Sequence, residues 1–81
     1  MSSQAAELRK AWRAVATAKL AEYRRQCWRL ASLTAEGAIT KADAVDCLWM
    51  IATAHALVRA LGENHVEIII AEAFMTAEMA A

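Results

Sequence analysis

The chain has 81 residues, of which 21 are alanine and none is proline, and its formal net charge at pH 7 is zero. This length fits one domain, residues 1–81, and a composition rich in the best helix former and lacking the strongest helix breaker predicts an all-α fold. The two cysteines, Cys27 and Cys47, are too few for a disulfide framework and too far apart for a CxxC motif.

The sequence predicts neither a signal peptide nor a membrane-spanning segment. The opening residues MSSQAAELRKAWR lack the apolar core of a signal peptide, because Glu7, Arg9 and Lys10 interrupt them. The longest strongly apolar stretch without Lys, Arg, Asp or Glu, Cys47–Val58, has twelve residues, whereas about 20 are needed to span a bilayer. We therefore expect a soluble cytoplasmic protein with reduced thiols and no membrane contact.

The first predicted helix runs from about residue 4 to residue 35, and Gly37 is placed to end it in a left-handed turn. Apolar residues at helical spacing predict the face that packs against the rest of the chain. They are Leu8, Trp12, Val15, Tyr23, Cys27 and Leu30. The opposite side carries a basic face with one aromatic residue. Its members are Arg13, Arg24, Arg25, Trp28 and Arg29.

The second predicted helix covers about residues 41–61, with Thr40 and Asp43 at the spacing of a capping box and Gly62 after its end. Fifteen of these 21 residues are apolar, and they lie nearly all round the helix. A helix that is apolar on every side is expected to be buried on every side. We therefore predict that this helix is the central element, with Cys47 and Met50 in the core. A disulfide between Cys47 and Cys27 stays an alternative under oxidising conditions.

The third predicted helix covers about residues 65–79, with Asn64 as N-cap and Glu67 three residues later. The run Ile68–Ile70 is typical of a strand, but the wider apolar pattern keeps a helical period. The predicted core stripe is Val66, Ile69, Ile70, Ala73, Phe74 and Ala77. A second apolar stripe lies on the far side among acidic residues. It consists of Ile68, Met75 and Met79, beside Glu67, Glu72 and Glu78.

The short connections predict a three-helix bundle of antiparallel helical hairpins with a long N-terminal helix. If the first two helices fold back at residues 36–39, residues 4–13 project beyond the end of the second. Leaving Leu8 and Trp12 uncovered would forgo about 2–5 kcal/mol of burial. Either the first helix breaks early, or another molecule covers these residues. We favour a second copy of the chain, a homodimer, since twofold dimers are the commonest oligomers. The predicted dimer interface is Leu8, Trp12, Val15, Ile68, Met75 and Met79.

Charge divides unevenly along the chain and predicts where partners bind. Residues 1–35 carry seven basic and two acidic side chains, a net charge of +5, and residues 36–81 carry the reverse, −5. Complementary potentials of this kind set orientation and partner choice. The candidate partner-binding residues are Arg13, Arg24, Arg25, Trp28 and Arg29 on the basic face and Glu67, Glu72 and Glu78 on the acidic face.

The stretch YRRQCWR, residues 23–29, has three interpretations. In the first, Trp28 packs against the second predicted helix or a dimer partner, and the arginines are solvated. In the second, the stretch binds an acidic protein. In the third, it binds single-stranded nucleic acid through its basic side chains and through base stacking on Trp28. The balance favours a surface set against protein. A helix-turn-helix is disfavoured, because Asp43 and Asp46 on the second helix would repel phosphates.

Nothing in the sequence indicates catalysis. His55 and His65 lack the converging partners that zinc requires, no cysteine or serine stands beside an orienting base, and there is no glycine-rich phosphate loop. We therefore expect no catalytic residue, no metal and no cofactor, and a non-enzymatic protein-binding function.

In size, helicity, charge partition and lack of catalytic groups, the chain resembles the small bacterial or phage-borne proteins that block or adapt larger machines, anti-CRISPR proteins among them. The resemblance is one of type, covers the whole chain and carries no residue motif. It implies an inhibitor or adaptor that binds a larger protein machine, for example a machine that handles nucleic acid.

Overall fold

The structure is a computed structural model that describes the backbone of residues 2–80 and the side chains of residues 4–11 and 13–79. Trp12, a predicted interface residue, therefore has its side chain outside the described residues. Within residues 2–80 the chain forms helices and no strand, which confirms the all-α class. The helices are α1 (Ser2–Ala35), α2 (Lys41–Ala54), α3 (Leu57–Leu61) and α4 (Glu63–Ala80).

Helix α1 ends at the glycine that the sequence indicated. Gly37 has φ of +82°, and its N–H donates to the carbonyl of Thr34, while the N–H of Ala38 donates to the carbonyl of Leu33. These two bonds make a Schellman motif, in which a left-handed residue satisfies the last helical carbonyls. The chain is thereby turned back toward α2.

Helix α2 begins as predicted but ends early. The side chain of Thr40 accepts a hydrogen bond from the N–H of Asp43 at 3.2 Å, which confirms the N-cap. The predicted single helix over residues 41–61 is wrong, because it breaks after Ala54, where Ala56 has φ of +59°. Leu57 follows Leu48 by nine residues, or 2.5 helical turns, so an unbroken helix would point it away from the core. The break instead leaves Leu57 buried.

The start of α4 also differs from the prediction. The helix begins at Glu63, and the carbonyl of Gly62 accepts from the N–H of Val66. Gly62 therefore occupies the cap position, and the prediction of Asn64 as N-cap is wrong. Gly62 has φ of +89° and ψ of 154°, a region that only glycine enters readily. It joins the end of α3 to the start of α4 without an intervening loop.

Helix α1 contacts both α2 and α4 and makes its most extensive contacts with α4. The buried set confirms the predicted core stripe of α4, in which only Ala73 is partly exposed. The buried residues are Tyr23, Cys27, Ala31, Ala44, Leu48, Ala52, Leu57, Val66, Ile69, Ile70, Phe74 and Ala77. The prediction that α2 is central and buried on every side is wrong. Neighbours cover one side of α2, so Cys47 is exposed and Met50 is 71% exposed.

The molecule is elongated, with extents of 55 × 21 × 18 Å and a radius of gyration of 15.2 Å. A compact chain of this length has a radius of gyration of about 12 Å. The long dimension matches α1, whose 34 residues span about 51 Å. Every described side chain from residue 4 to residue 19 is exposed. The N-terminal half of α1 thus buries no described side chain, and its beginning projects beyond the packed part of the molecule, as the sequence predicted for residues 4–13.

Candidate functional site

The outer side of the C-terminal half of α1 carries what we call the basic strip: Arg24, Arg25, Trp28 and Arg29. All four residues are exposed, and 44% of the surface of Trp28 is accessible. The strip lies opposite the side of α1 that Tyr23 and Cys27 bury. A rigid helix therefore presents an indole ring and three guanidinium groups to solvent.

Local hydrogen bonds order part of the basic strip. Arg25 forms an ion pair with Glu22 at 2.5 Å, and Gln26 donates to the same carboxylate at 3.0 Å. Arg29 in turn donates to the side-chain oxygen of Gln26 at 3.5 Å. Exposed pairs of this kind contribute about 0.2–0.5 kcal/mol each, so they orient the arginines without neutralising the strip.

Arg13, the remaining predicted member of the basic face, is exposed as well. It precedes Arg24 by eleven residues, which is about three helical turns and about 17 Å along the axis. Arg13 therefore lies on the same side of α1 as the strip but on the projecting half. The structure does not bring it together with the other four residues.

We call the outer side of α4 the acidic face, defined by Glu67, Ile68, Glu72, Met75, Glu78 and Met79. The three apolar side chains follow one another at intervals of seven and four residues and form one exposed stripe. Their exposed fractions are 55% for Ile68, 61% for Met75 and 85% for Met79. The three glutamates are exposed too. The exposure of this second stripe is as the sequence predicted.

The ion pairs among the described side chains each stay within one half of the chain. They are Lys10–Glu7 at 3.8 Å, Arg25–Glu22, and Lys41–Glu78 at 3.6 Å. None of them joins α1 to α4, although these two helices pack together. Among the described side chains, the exposed charges of the two halves are therefore not paired with each other across α1 and α4.

Two grooves flank these surfaces. The α1–α3 groove has a volume of about 710 Å³ and lies between Ala11, Val15, Ala16 and Lys19 of α1 and the segment 55–60. The α2–α4 groove has a volume of about 320 Å³, and Lys41 lies over it with its Nζ atom 5.5 Å from the ring centre of Phe74. The sequence predicts neither groove, and the break at Ala56 that shapes the first carries no sequence signal.

The buried polar groups stabilise the fold rather than form a reactive site. The hydroxyl of Tyr23 donates to the carbonyl of Leu48 at 2.9 Å. Burial raises the pKa of Tyr23 well above its ordinary range, and the neighbouring Cys27 raises it further. Burial also raises the pKa of Cys27, against a smaller lowering by the hydrogen bond with Tyr23. Both groups are therefore neutral at physiological pH, and a neutral buried thiol is a poor nucleophile.

The two cysteines are unpaired, and only one of them is a core residue. Cys27 is fully buried, as predicted, whereas Cys47 is exposed on the uncovered side of α2. The prediction of Cys47 as a core residue is therefore wrong.

No helix within residues 2–80 is long and apolar enough to cross a membrane. Comparison of the chain with protein-family models, with curated proteins and with solved structures finds no match.

Proposed function

We propose that this protein is a non-enzymatic interaction module, a small inhibitor or adaptor that binds a larger protein machine through its charged helix faces. The observation that supports this most is the exposed Trp28 within the basic strip. Tryptophan and arginine are the residue types most enriched at the energetic centres of protein interfaces. A large indole ring left accessible by its own chain is costly unless a partner covers it.

The chemistry of the strip favours an acidic protein surface as partner. Guanidinium groups bind carboxylates through paired, charge-assisted hydrogen bonds, and the strip carries three of them on one side of α1. The acidic face of α4 provides the opposite chemistry. Glu67, Glu72 and Glu78 would fit a basic site on a machine that handles nucleic acid.

Partner capture from a bacterial lysate, with and without nuclease, tests this function. The variant Arg24→Ala/Arg25→Ala/Arg29→Ala is expected to lose a nuclease-resistant protein partner. The control Arg9→Ala/Lys10→Ala removes charge from the projecting half of the same helix without touching the predicted basic face, and it is expected to retain the partner. Equal capture by both variants would reject the basic strip as the binding surface. Reversal of Glu67, Glu72 and Glu78 tests the acidic face in the same assay.

The same exposed indole supports one alternative function, binding of single-stranded nucleic acid. Stacking of a base on an aromatic ring contributes about 1–3 kcal/mol, and arginines beside it would contact phosphates. Affinity for a labelled single-stranded oligonucleotide would then fall steeply with salt. Trp28→Ala and the triple arginine variant would each weaken it. Unchanged affinity of the triple arginine variant for the oligonucleotide would reject this alternative.

We also propose that the protein is a homodimer. Its accessible surface is 6029 Å², whereas a compact monomer of 8.8 kDa exposes about 4,800 Å². The excess of about 1,200 Å² includes Leu8 and Val15 on the projecting half of α1, which are 61% and 56% exposed. Light scattering at high micromolar concentration is expected to give twice the chain mass. A mass of 8.8 kDa under those conditions would contradict the dimer.

A further inference from the structure

We propose that the acidic face of α4 in one copy docks into the α1–α3 groove of a second copy, an inference that rests on the proposed homodimer. The occupant of the groove is thus a second copy of this chain. The contact pairs an apolar groove with basic margins and an apolar stripe with acidic margins. In this dimer the acidic face binds the second copy and not a basic site on a larger machine, and the basic strip is left available for that machine.

The groove fits large, flexible apolar side chains. Ala11 and Ala16 line its α1 wall and Ala60 lines its α3 wall, and their single methyl groups leave space between the two helices. Val15 adds apolar surface on the same side. The methionines of the acidic face are unbranched and adapt to irregular cavities of this kind.

The groove is long enough for part of the acidic face. Its α1 wall runs from Ala11 to Lys19, about 12 Å along the helix axis. On α4, Met75 and Met79 lie four residues apart on the same side of the helix, about 6 Å along its axis. Both methionines can therefore lie within the length of the groove.

Charge decides between α4 and the other exposed helix segment as the occupant. Residues 4–19 carry four basic residues and one acidic residue, a net charge of +3, and Lys19 and Arg59 border the groove. Helix α4 carries four glutamates and no lysine or arginine. Pairing the projecting halves of two α1 helices would place like charges together, which disfavours the contact, whereas α4 brings the opposite charge.

Symmetry and area agree with this pairing. The groove and the acidic face lie on the same chain, so a dimer with a twofold axis would form the contact twice, once in each direction. The excess surface of about 1,200 Å² per chain exceeds the roughly 800 Å² that each partner buries in an interface of standard size. The opposite side of α4 is occupied by the core of its own chain, so only the acidic face is available.

Reciprocal charge reversal tests the pairing. The groove variant Lys19→Glu/Arg59→Glu and the face variant Glu67→Lys/Glu72→Lys are each expected to dissociate, with a dimer dissociation constant raised roughly 100-fold or more. An equimolar mixture of the two variants is expected to form a heterodimer, because each of its two contacts again joins opposite charges. The quadruple variant is expected to form a homodimer for the same reason. Light scattering gives the mass, and circular dichroism checks helicity.

The control Arg24→Glu/Arg25→Glu changes as much charge on the basic strip and is expected to leave the dimer intact. Ala11→Trp fills the groove without changing charge and is expected to dissociate the dimer, which provides a second test if a charge variant fails to fold. Variants that stay dimeric, or that dissociate without rescue in the mixture, would overturn the docking mode while leaving the homodimer standing. A monomeric wild type would overturn both.

Discussion

Tyr23 donates a hydrogen bond from its phenol to the backbone carbonyl of Leu48, 25 residues later, at 2.9 Å. Both residues are buried, so the bond joins α1 to α2 inside the core. It also sets how far the two helices slide past each other, because it links one side chain to one turn of the facing helix. The projection of the N-terminal half of α1 depends on that alignment.

The variant Tyr23→Phe is expected to lower the free energy of unfolding by about 0.5–1.5 kcal/mol. The ring keeps its packing, and the Leu48 carbonyl stays within the hydrogen-bonding ladder of α2, so the cost is that of one buried hydrogen bond. Urea unfolding followed by circular dichroism measures it. Thr53→Val is the matched control, because its hydroxyl donates to the Trp49 carbonyl at the same 2.9 Å but in solvent. Equal effects of the two substitutions would contradict a stabilising role for the buried bond.

Stability is expected to fall in alkaline solution. The folded state holds the pKa of Tyr23 above its ordinary value of 10.0, and burial also raises the pKa of Cys27 above 9.0. Because both pKa values are raised, the folded state favours the protonated phenol and the protonated thiol. The contribution of these two groups to the free energy of unfolding is therefore fully present below pH 9 and is lost as the pH rises through 9 to 10 and beyond. Tyr23 is the single tyrosine, so tyrosinate absorbance reports on it alone.

We expect tyrosinate to appear together with the loss of helicity, at a pH above 10. Titration at the ordinary pKa in a protein that is still helical would show that the phenol is accessible. The double variant Tyr23→Phe/Cys27→Ala is expected to lose less stability in alkaline solution than the wild type. The difference is the part of the alkaline destabilisation that Tyr23 and Cys27 cause, as distinct from the lysines and arginines.

The sequence predicted those parts of the fold that short-range chemistry determines. Gly37 and Thr40 mark the turn between α1 and α2, and the periodicity of α4 identifies both its buried and its exposed stripe. The break at Ala56 has no such signal, since no glycine, proline or asparagine stands there. It follows from the need to turn Leu57 toward a core that only the folded chain contains. The exposure of Cys47 was missed for a related reason, because α2 is apolar all round while neighbours cover one side.

Backbone strain at the break predicts opposite effects of two substitutions. Ala56 holds a left-handed conformation at φ of +59°, so Ala56→Gly relieves a cost of about 1–2 kcal/mol against an entropic penalty of about 0.5–1 kcal/mol. A stabilisation of about 0–1.5 kcal/mol is expected. Gly62→Ala imposes strain instead and is expected to destabilise by about 1–3 kcal/mol. Urea midpoints measure both effects.

The added methyl group at Gly62 meets no atom within 4 Å, so steric overlap does not contribute and the loss reports on backbone conformation alone. Gly62→Ser, which enters the same region equally poorly, is expected to match Gly62→Ala. Destabilisation by Ala56→Gly would contradict the left-handed break and favour a continuous helix over residues 41–61, in which glycine costs about 1 kcal/mol.

The two thiols are expected to differ strongly in reactivity. Cys47 is exposed, whereas Cys27 is fully buried and its raised pKa keeps it protonated. Because the thiolate is the reactive species, Ellman's reagent at pH 8 is expected to modify one thiol at once and the second only as the fold opens. Cys47→Ser should remove the fast phase and Cys27→Ser should leave it. Rapid reaction of both thiols in the native protein would contradict the burial of Cys27. As a control, both thiols should react at similar rates after unfolding in urea.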